Sequence, residues 1–121
     1  IDELIIESKN SIVIKAVIDG VIVGSARGVV DGDECLVTRI IVNPDNQRQG
    51  IGTKLLLVLE DYFGGVESFV LYTGTNSVDN IRLYKRNGYA EFKEEKLTEN
   101  ITFVYLRKKI KQLHKLACFD D

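Results

Sequence analysis

The hydrophobic pattern divides the chain at Pro44. Runs of β-branched residues broken by short polar turns precede it, and helical stripes alternating with strand-like segments follow it. At the start, Ile1, Leu4 and Ile5 fit one face of a short helix, with Ser8–Ser11 as the break after it. Ser11–Ile18 reads as a strand ending at Asp19-Gly20, a dipeptide suited to a type I′ turn because both central residues need positive φ. Val21–Val30 is the returning strand, where Gly24 and Gly28 predict a bulge or a close approach of another group. Asp31-Gly32-Asp33 makes a second turn and Cys35–Val42 a third strand, completing an antiparallel meander.

Pro44 lacks an amide donor and ends the pairing. After a polar loop at 43–49, Gly50–Phe63 has helical character: Ile51, Leu55, Leu59 and Tyr62 form one stripe, widened by Leu56 and Phe63. Gly64-Gly65 stop it, and Glu67–Thr73 alternates as a strand. A strand, a helix of this length and a strand form a right-handed crossover, so 35–42 and 67–73 run parallel. Ser77 caps a second helix over 78–87, which closes at Asn87-Gly88 with glycine in the left-handed position. Tyr89–Glu95 and Ile101–Arg107 make a terminal hairpin around Thr98-Glu99-Asn100. The order βββ-α-β-α-ββ predicts an α+β domain over residues 1–107. Residues 108–121 remain as a tail, with a short amphipathic helix through Ile110, Leu113 and Leu116-Ala117.

At 121 residues, 45% hydrophobic and 28% charged, the chain suits one globular core and is too short for two. A net charge of −2 gives no reason to expect nucleic acid or an anionic membrane as partner. The basic stretch from Arg107 to Lys115 reads as a solvated tail. Cys35 and Cys118 lie far apart without metal-ligand spacing, which predicts reduced thiols in a cytoplasmic protein and no metal site. No apolar run is long enough to span a membrane.

Chemistry concentrates in Ile40-Ile41-Val42-Asn43-Pro44-Asp45-Asn46-Gln47-Arg48-Gln49-Gly50-Ile51-Gly52-Thr53. A strand leads through a polar loop to two glycines at a helix start, where amides lack intrahelical partners and the macrodipole is positive. Such a start holds a pyrophosphate, or serves only close packing. A P-loop is excluded because Lys54 follows Thr53 instead of preceding it, and a dinucleotide fingerprint because its third glycine position holds Leu55.

The run Gln47-Arg48-Gln49-Gly50-Ile51-Gly52 resembles the Q/R-x-x-G-x-G/A signature of the GNAT superfamily of N-acetyltransferases. Ser77-Val78-Asp79-Asn80-Ile81-Arg82-Leu83-Tyr84, followed by Gly88-Tyr89, is similar to that superfamily's second signature helix, with Ser77 where many members have asparagine. The resemblance implies a GNAT-like mixed sheet and transfer of an acetyl group from acetyl-CoA to a primary amine, carried by a small molecule or a peptide. It implies that Ile40, Ile41 and Val42 line the pantetheine arm, that Gln47, Arg48, Gln49, Gly50, Ile51, Gly52 and Thr53 hold the pyrophosphate, and that Asn80 meets the cofactor. Arg48 and Lys54 are candidates for the adenosine phosphates, or plain surface charges.

The same resemblance implies that Tyr84 stands near the sulfur as proton donor to the departing thiolate; the alternative is a core tyrosine. No general base is evident, since Leu36–Val42 contains no carboxylate; Glu34, Glu67 and Tyr72 are candidates. His114 sits in the tail. A catalytically silent acyl-CoA-binding or sensor domain is therefore the rival reading. GNAT domains usually open with a strand before the meander. Only Ile1–Ser8 precedes it here, so that strand is expected to be absent, leaving an edge that invites a homodimer.

Overall fold

The computed structural model describes residues 2–8 (as backbone), 10–47 and 49–110. Seven strands form one mixed sheet: β1 (Asp2–Ser8), β2 (Ser11–Ile18), β3 (Val21–Asp31), β4 (Glu34–Val42), β5 (Ser68–Gly74), β6 (Ala90–Lys96) and β7 (Thr102–Lys109). Their spatial order is β1-β2-β3-β4-β5-β7-β6, with every neighbouring pair antiparallel except β4 and β5. Helix α1 (Ile51–Tyr62) makes the parallel crossover, and α2 (Val78–Arg86) links β5 to β6.

The β2–β3 turn has Asp19 at φ 51° and Gly20 at φ 81°, the two positive angles a type I′ turn demands. Gly28 lets α1 close onto the sheet. A Cβ there would stand 2.9 Å from Leu59 and 3.1 Å from the Cys35 sulfur. Leu55, Leu56 and Leu59 of α1 meet Ile12, Ile14, Ala26, Cys35 and Val37 of the meander, and Phe69, Leu71, Val104 and Leu106 continue the core beneath α2. The opposite face of the sheet carries no helix among the described residues.

Several expectations are corrected. Residues 2–8 form β1, paired antiparallel to β2, rather than a helix, and so a strand does precede the meander. The i, i+3, i+4 spacing fitted a helix, but eight residues barely nucleate one, whereas Leu4-Ile5-Ile6 can add to a waiting edge. The β2 edge expected to invite a second copy is thus covered by β1. Tyr62, placed on the buried stripe, is exposed; α1 ends there, and Phe63 turns inward in its place. Ser77 occupies the cap position of α2 through its carbonyl, which accepts from Ile81, but its hydroxyl makes no capping bond. Lys108 and Lys109, read as tail, belong to β7. The Lys108 ammonium reaches Glu60 Oε1 at 2.8 Å, so its charge is met inside the fold. The tail helix, His114 and Cys118 lie outside the described residues.

Candidate active site

The parallel pair at the sheet centre is short. Glu34–Val37 pair with Ser68–Leu71, and there the strands part. Beyond that point β4 stays with β3 as far as Val42, while β5 stays with β7 as far as Gly74. The break coincides with a bulge: Arg27 faces Arg39 and Gly28 faces Val37, so Thr38 has no partner on β3. An extra residue bends its strand and steepens the local twist, which turns β4 away from β5. The Asn43 amide bonds to the Val23 carbonyl. By the alternation of an antiparallel ladder, Ile41 also faces β3, while the backbone groups of Ile40 and Val42 face the gap. The Val42 carbonyl agrees, because it accepts from Gln47 Nε2 at 3.3 Å.

The chain leaves β4 through a single 3-10 turn, Pro44–Asn46, capped by Asn43 Oδ1 accepting from the Asp45 amide. It reaches α1 at Gly50, whose φ of 80° lies in the left-handed region that favours glycine. No side chain caps this helix and no acidic residue occupies its first turn. Its first backbone bond runs from the Lys54 amide to the Gly50 carbonyl. The amides of Ile51, Gly52 and Thr53 are therefore left without partners inside the helix.

The two glycines differ. A Cβ on Gly50 would meet nothing within 4 Å, whereas on Gly52 it would stand 2.9 Å from Leu83 Cδ2. Gly50 keeps the helix start open; Gly52 lets α2 approach. Asn87 fastens the same contact, donating from Nδ2 to the Leu83 carbonyl at 2.8 Å and to Thr53 Oγ1 at 3.2 Å.

These elements enclose a cavity of about 710 Å³. Its walls include Ile40, Ile41, Val42, Gln47, Gly50, Ile51, Gly52 and Thr53, and Asn80 from α2, all singled out in the sequence. Asn80 Nδ2 also donates to Thr73 Oγ1 at 3.4 Å, linking α2 to the diverging end of β5. Gln49 is exposed and not on the wall, and Arg48 lies outside the described residues. Lys54 is likewise not on the wall. Arg82 and Arg86, which the sequence reading did not assign, are. They stand one helical turn apart, a spacing visible in the sequence, but nothing local says that this face of α2 meets the start of α1.

Tyr84 is buried at 5% exposure, with its ring 6.4 Å from that of Tyr89. Burial pushes its phenol from 10.0 up to about 12, so it holds its proton at neutral pH. Tyr89 spends its hydroxyl on Glu60 Oε2 at 2.8 Å. The Tyr84 hydroxyl has no hydrogen bond among the described residues, yet no fully buried side-chain oxygen there lacks a partner. Its oxygen is therefore not fully buried, although the residue is not part of the cavity wall itself.

The candidate bases separate by position. Glu34 lies at the closed end of the parallel pair, accepting from Ser68 Oγ at 2.8 Å and from Arg107 Nε at 2.9 Å on one oxygen. Glu67 is exposed at that same end. Tyr72 follows Leu71, the last residue of β5 to pair with β4, and so borders the gap. Among the described residues no three His, Cys, Asp or Glu side chains are placed to hold a metal ion, and no helix is long and apolar enough to cross a membrane.

The fold agrees with that of known proteins. Residues 2–89 match the acetyltransferase (GNAT) family, and the chain belongs to it. No curated protein sequence matches. The ribosomal-protein-S18-alanine N-acetyltransferase from Escherichia coli is similar at 25% identity and a TM-score of 0.78, covering 88% of this chain and 73% of that one. An IAA acetyltransferase from Bacillus cereus superposes with a TM-score of 0.74 at 22% identity, over 84% of this chain and 79% of its own. A GNAT family acetyltransferase from Elizabethkingia anophelis with acetyl-CoA bound gives 0.73 at 21% identity, over 84% and 77%.

Proposed function

We propose that this chain is an N-acetyltransferase domain that takes acetyl-CoA into the gap between β4 and β5 and passes the acetyl group directly to a primary amine. The observation that carries the reading is a coincidence of unpaired backbone. The free amides at the start of α1 and the unpaired edge of β4 wall one cavity, which has the volume of an ordinary ligand site. Acetyl-CoA supplies the activated acyl group, a pyrophosphate and an amide-rich arm, and each has a counterpart here. The amides of Ile51, Gly52 and Thr53 hold the pyrophosphate, and the absence of a Cβ on Gly50 lets it come close. Backbone groups of Ile40 and Val42 pair with the arm as an added strand would.

Gln47 acts at one remove by pinning the loop to the end of β4, and the Thr53 hydroxyl oxygen accepts from Asn87. Arg82 and Arg86, rather than Lys54, take the remaining phosphate charge. Tyr84 donates its proton to the departing sulfur, a role for which a neutral, raised-pKa phenol with an open hydroxyl is suited. Backbone amides near the bulge at Thr38 polarise the acyl oxygen. The catalytic unit takes in β7 and Ile110, whose amide bonds to the Glu67 carbonyl.

One observation favours a silent acyl-CoA binder instead. No carboxylate occurs along Leu36–Val42, and Glu34 is already engaged at the closed end. Calorimetry with acetyl-CoA, followed by assay of thiol release with a panel of amines, separates the readings. Binding with amine-dependent thiol release supports the transferase, and binding without it the silent domain. No binding removes both.

A further inference from the structure

The helices and the cavity occupy one face of the sheet, so an acceptor has to reach the gap from the other. The residues that border the gap on that open face are fixed by the ladder. Ile40 packs on the core and is the partner of neighbour Ala26, so the next pair along, Arg27 with Arg39, projects to the open face. Leu71 is buried in the core, so Tyr72 projects the same way. Arg39 thus sits on β4 just past the bulge, and Tyr72 on β5 just past the last parallel pair. Behind Tyr72 the surface is aromatic, with Phe103 at 4.9 Å and Tyr105 at 5.3 Å between ring centres.

The charge on this surface is one-sided. Two arginines directly opposite across antiparallel strands repel unless something negative lies between them. Arg27 has an interaction of its own, whereas Arg39 is exposed and makes no hydrogen bond, ion pair or ring contact among the described residues. Of the carboxylates on this face of β4 to β7, Glu34 is paired with Arg107, and Glu95 lies out on β6, where it accepts from the Tyr105 hydroxyl. At the gap itself β4 and β5 offer a polycationic acceptor no unpaired carboxylate, and it would meet Arg39.

Resting on the transferase reading above, we propose that the acceptor is an amine that also carries an anionic group, most simply a carboxylate, on an apolar body. The carboxylate pairs with the Arg39 guanidinium, whose planar fork matches it. The apolar body lies on the Tyr72 side of the opening, and the amine enters the gap between β4 and β5.

The test compares kcat/KM for L-phenylalanine, phenethylamine and spermidine in the wild type, Arg39→Gln and Arg39→Glu. The first two amines differ by the carboxylate alone. In the wild type, L-phenylalanine is expected to exceed phenethylamine by at least about tenfold and spermidine by more. Arg39→Gln should pull the ratio toward one and Arg39→Glu should invert it. Amine basicity cancels when one pair is compared across variants, and both changes lie at an exposed position that the core does not use. A ratio unchanged in Arg39→Gln, or spermidine turned over as well as L-phenylalanine, overturns the inference and leaves the transferase standing. Acetyl-CoA bound but no thiol release with any amine fails the transferase reading itself, and this inference falls with it.

Discussion

At one end of the β4–β5 pair the strands are joined; at the other, the same two strands separate. The closed end has four paired residues on each strand, Ser68 and Arg107 bonded to one Glu34 oxygen, and the Glu67 amide bonded to the Asp33 carbonyl at 2.7 Å. The open end has a bulge, an uncapped helix start and strand edges that face a cavity. Side chains close one end, and bare backbone lines the other. The difference teaches where each end can be altered. On the proposed function, backbone groups at the open end hold the acyl carrier through the path of the chain, so glycines and bulges matter there, whereas side-chain deletions weaken the closed end first.

The largest effect that would sharpen this contrast is expected at Tyr84, the proposed proton donor. Tyr84→Phe keeps the ring in the core and removes one proton donor, so kcat should fall by roughly 10- to 1,000-fold with little change in acetyl-CoA affinity. Unaltered turnover would leave Tyr84 as a core residue only. The same substitution has an alkaline signature. Below pH 10.0 the phenol is protonated both folded and unfolded, and its share of stability is intact. From there toward about 12 the unfolded chain gives up its proton first, so stability falls as pH rises. Part of that fall should be missing from a melting curve of Tyr84→Phe.

Next in size are the two glycines, which should fail differently. Gly52→Val drives its side chain into Leu83 and should destabilise the fold by about 1–3 kcal/mol, read as a lower Tm. Gly50→Val meets no neighbour but must hold a β-branched residue at φ 80°, so some loss of Tm is expected there too, and its distinguishing mark is acetyl-CoA binding weakened by about 1–3 kcal/mol. If the Kd in Gly50→Val matches the wild type, the phosphate assignment is wrong. The smallest effect belongs to the closed end. Ser68→Ala removes one bond to a half-buried carboxylate that keeps its arginine, at about 0.5–1.5 kcal/mol in urea denaturation. A lowered kcat at unchanged stability would show that the closed end takes part in the reaction and that the contrast drawn here is false.

Much of this was legible because local chemistry and tertiary context agree. The Asp19-Gly20 turn, the crossover from β4 through α1 to β5, and the glycine start of α1 each follow from neighbouring residues. Most cavity-lining residues picked from the sequence came from one continuous stretch, Ile40–Thr53. What escaped depends on contacts between distant segments. Lys108 looks like tail until Glu60 is seen beside it. That position 52 must lack a side chain for packing shows only once Leu83 is placed against it. Residues 2–8 read as a short helix until the β2 edge offers them a ladder. Arg82 and Arg86 needed the packing angle of α2, which no periodicity encodes.

Strand β6 has one more consequence. All seven of its residues are exposed, and among the described residues it pairs only with β7 and forms the outer edge of the sheet. Five of the seven, Glu91, Lys93, Glu94, Glu95 and Lys96, are charged, and a register shift interrupts the ladder between Glu91 and Lys93. An open strand edge is a template on which other chains can stack into fibres, and charge together with irregular pairing is what makes such stacking unfavourable. A segment that buries almost nothing thereby guards the chain's solubility, and apolar replacements along it would be harmless to folding and hazardous at high concentration.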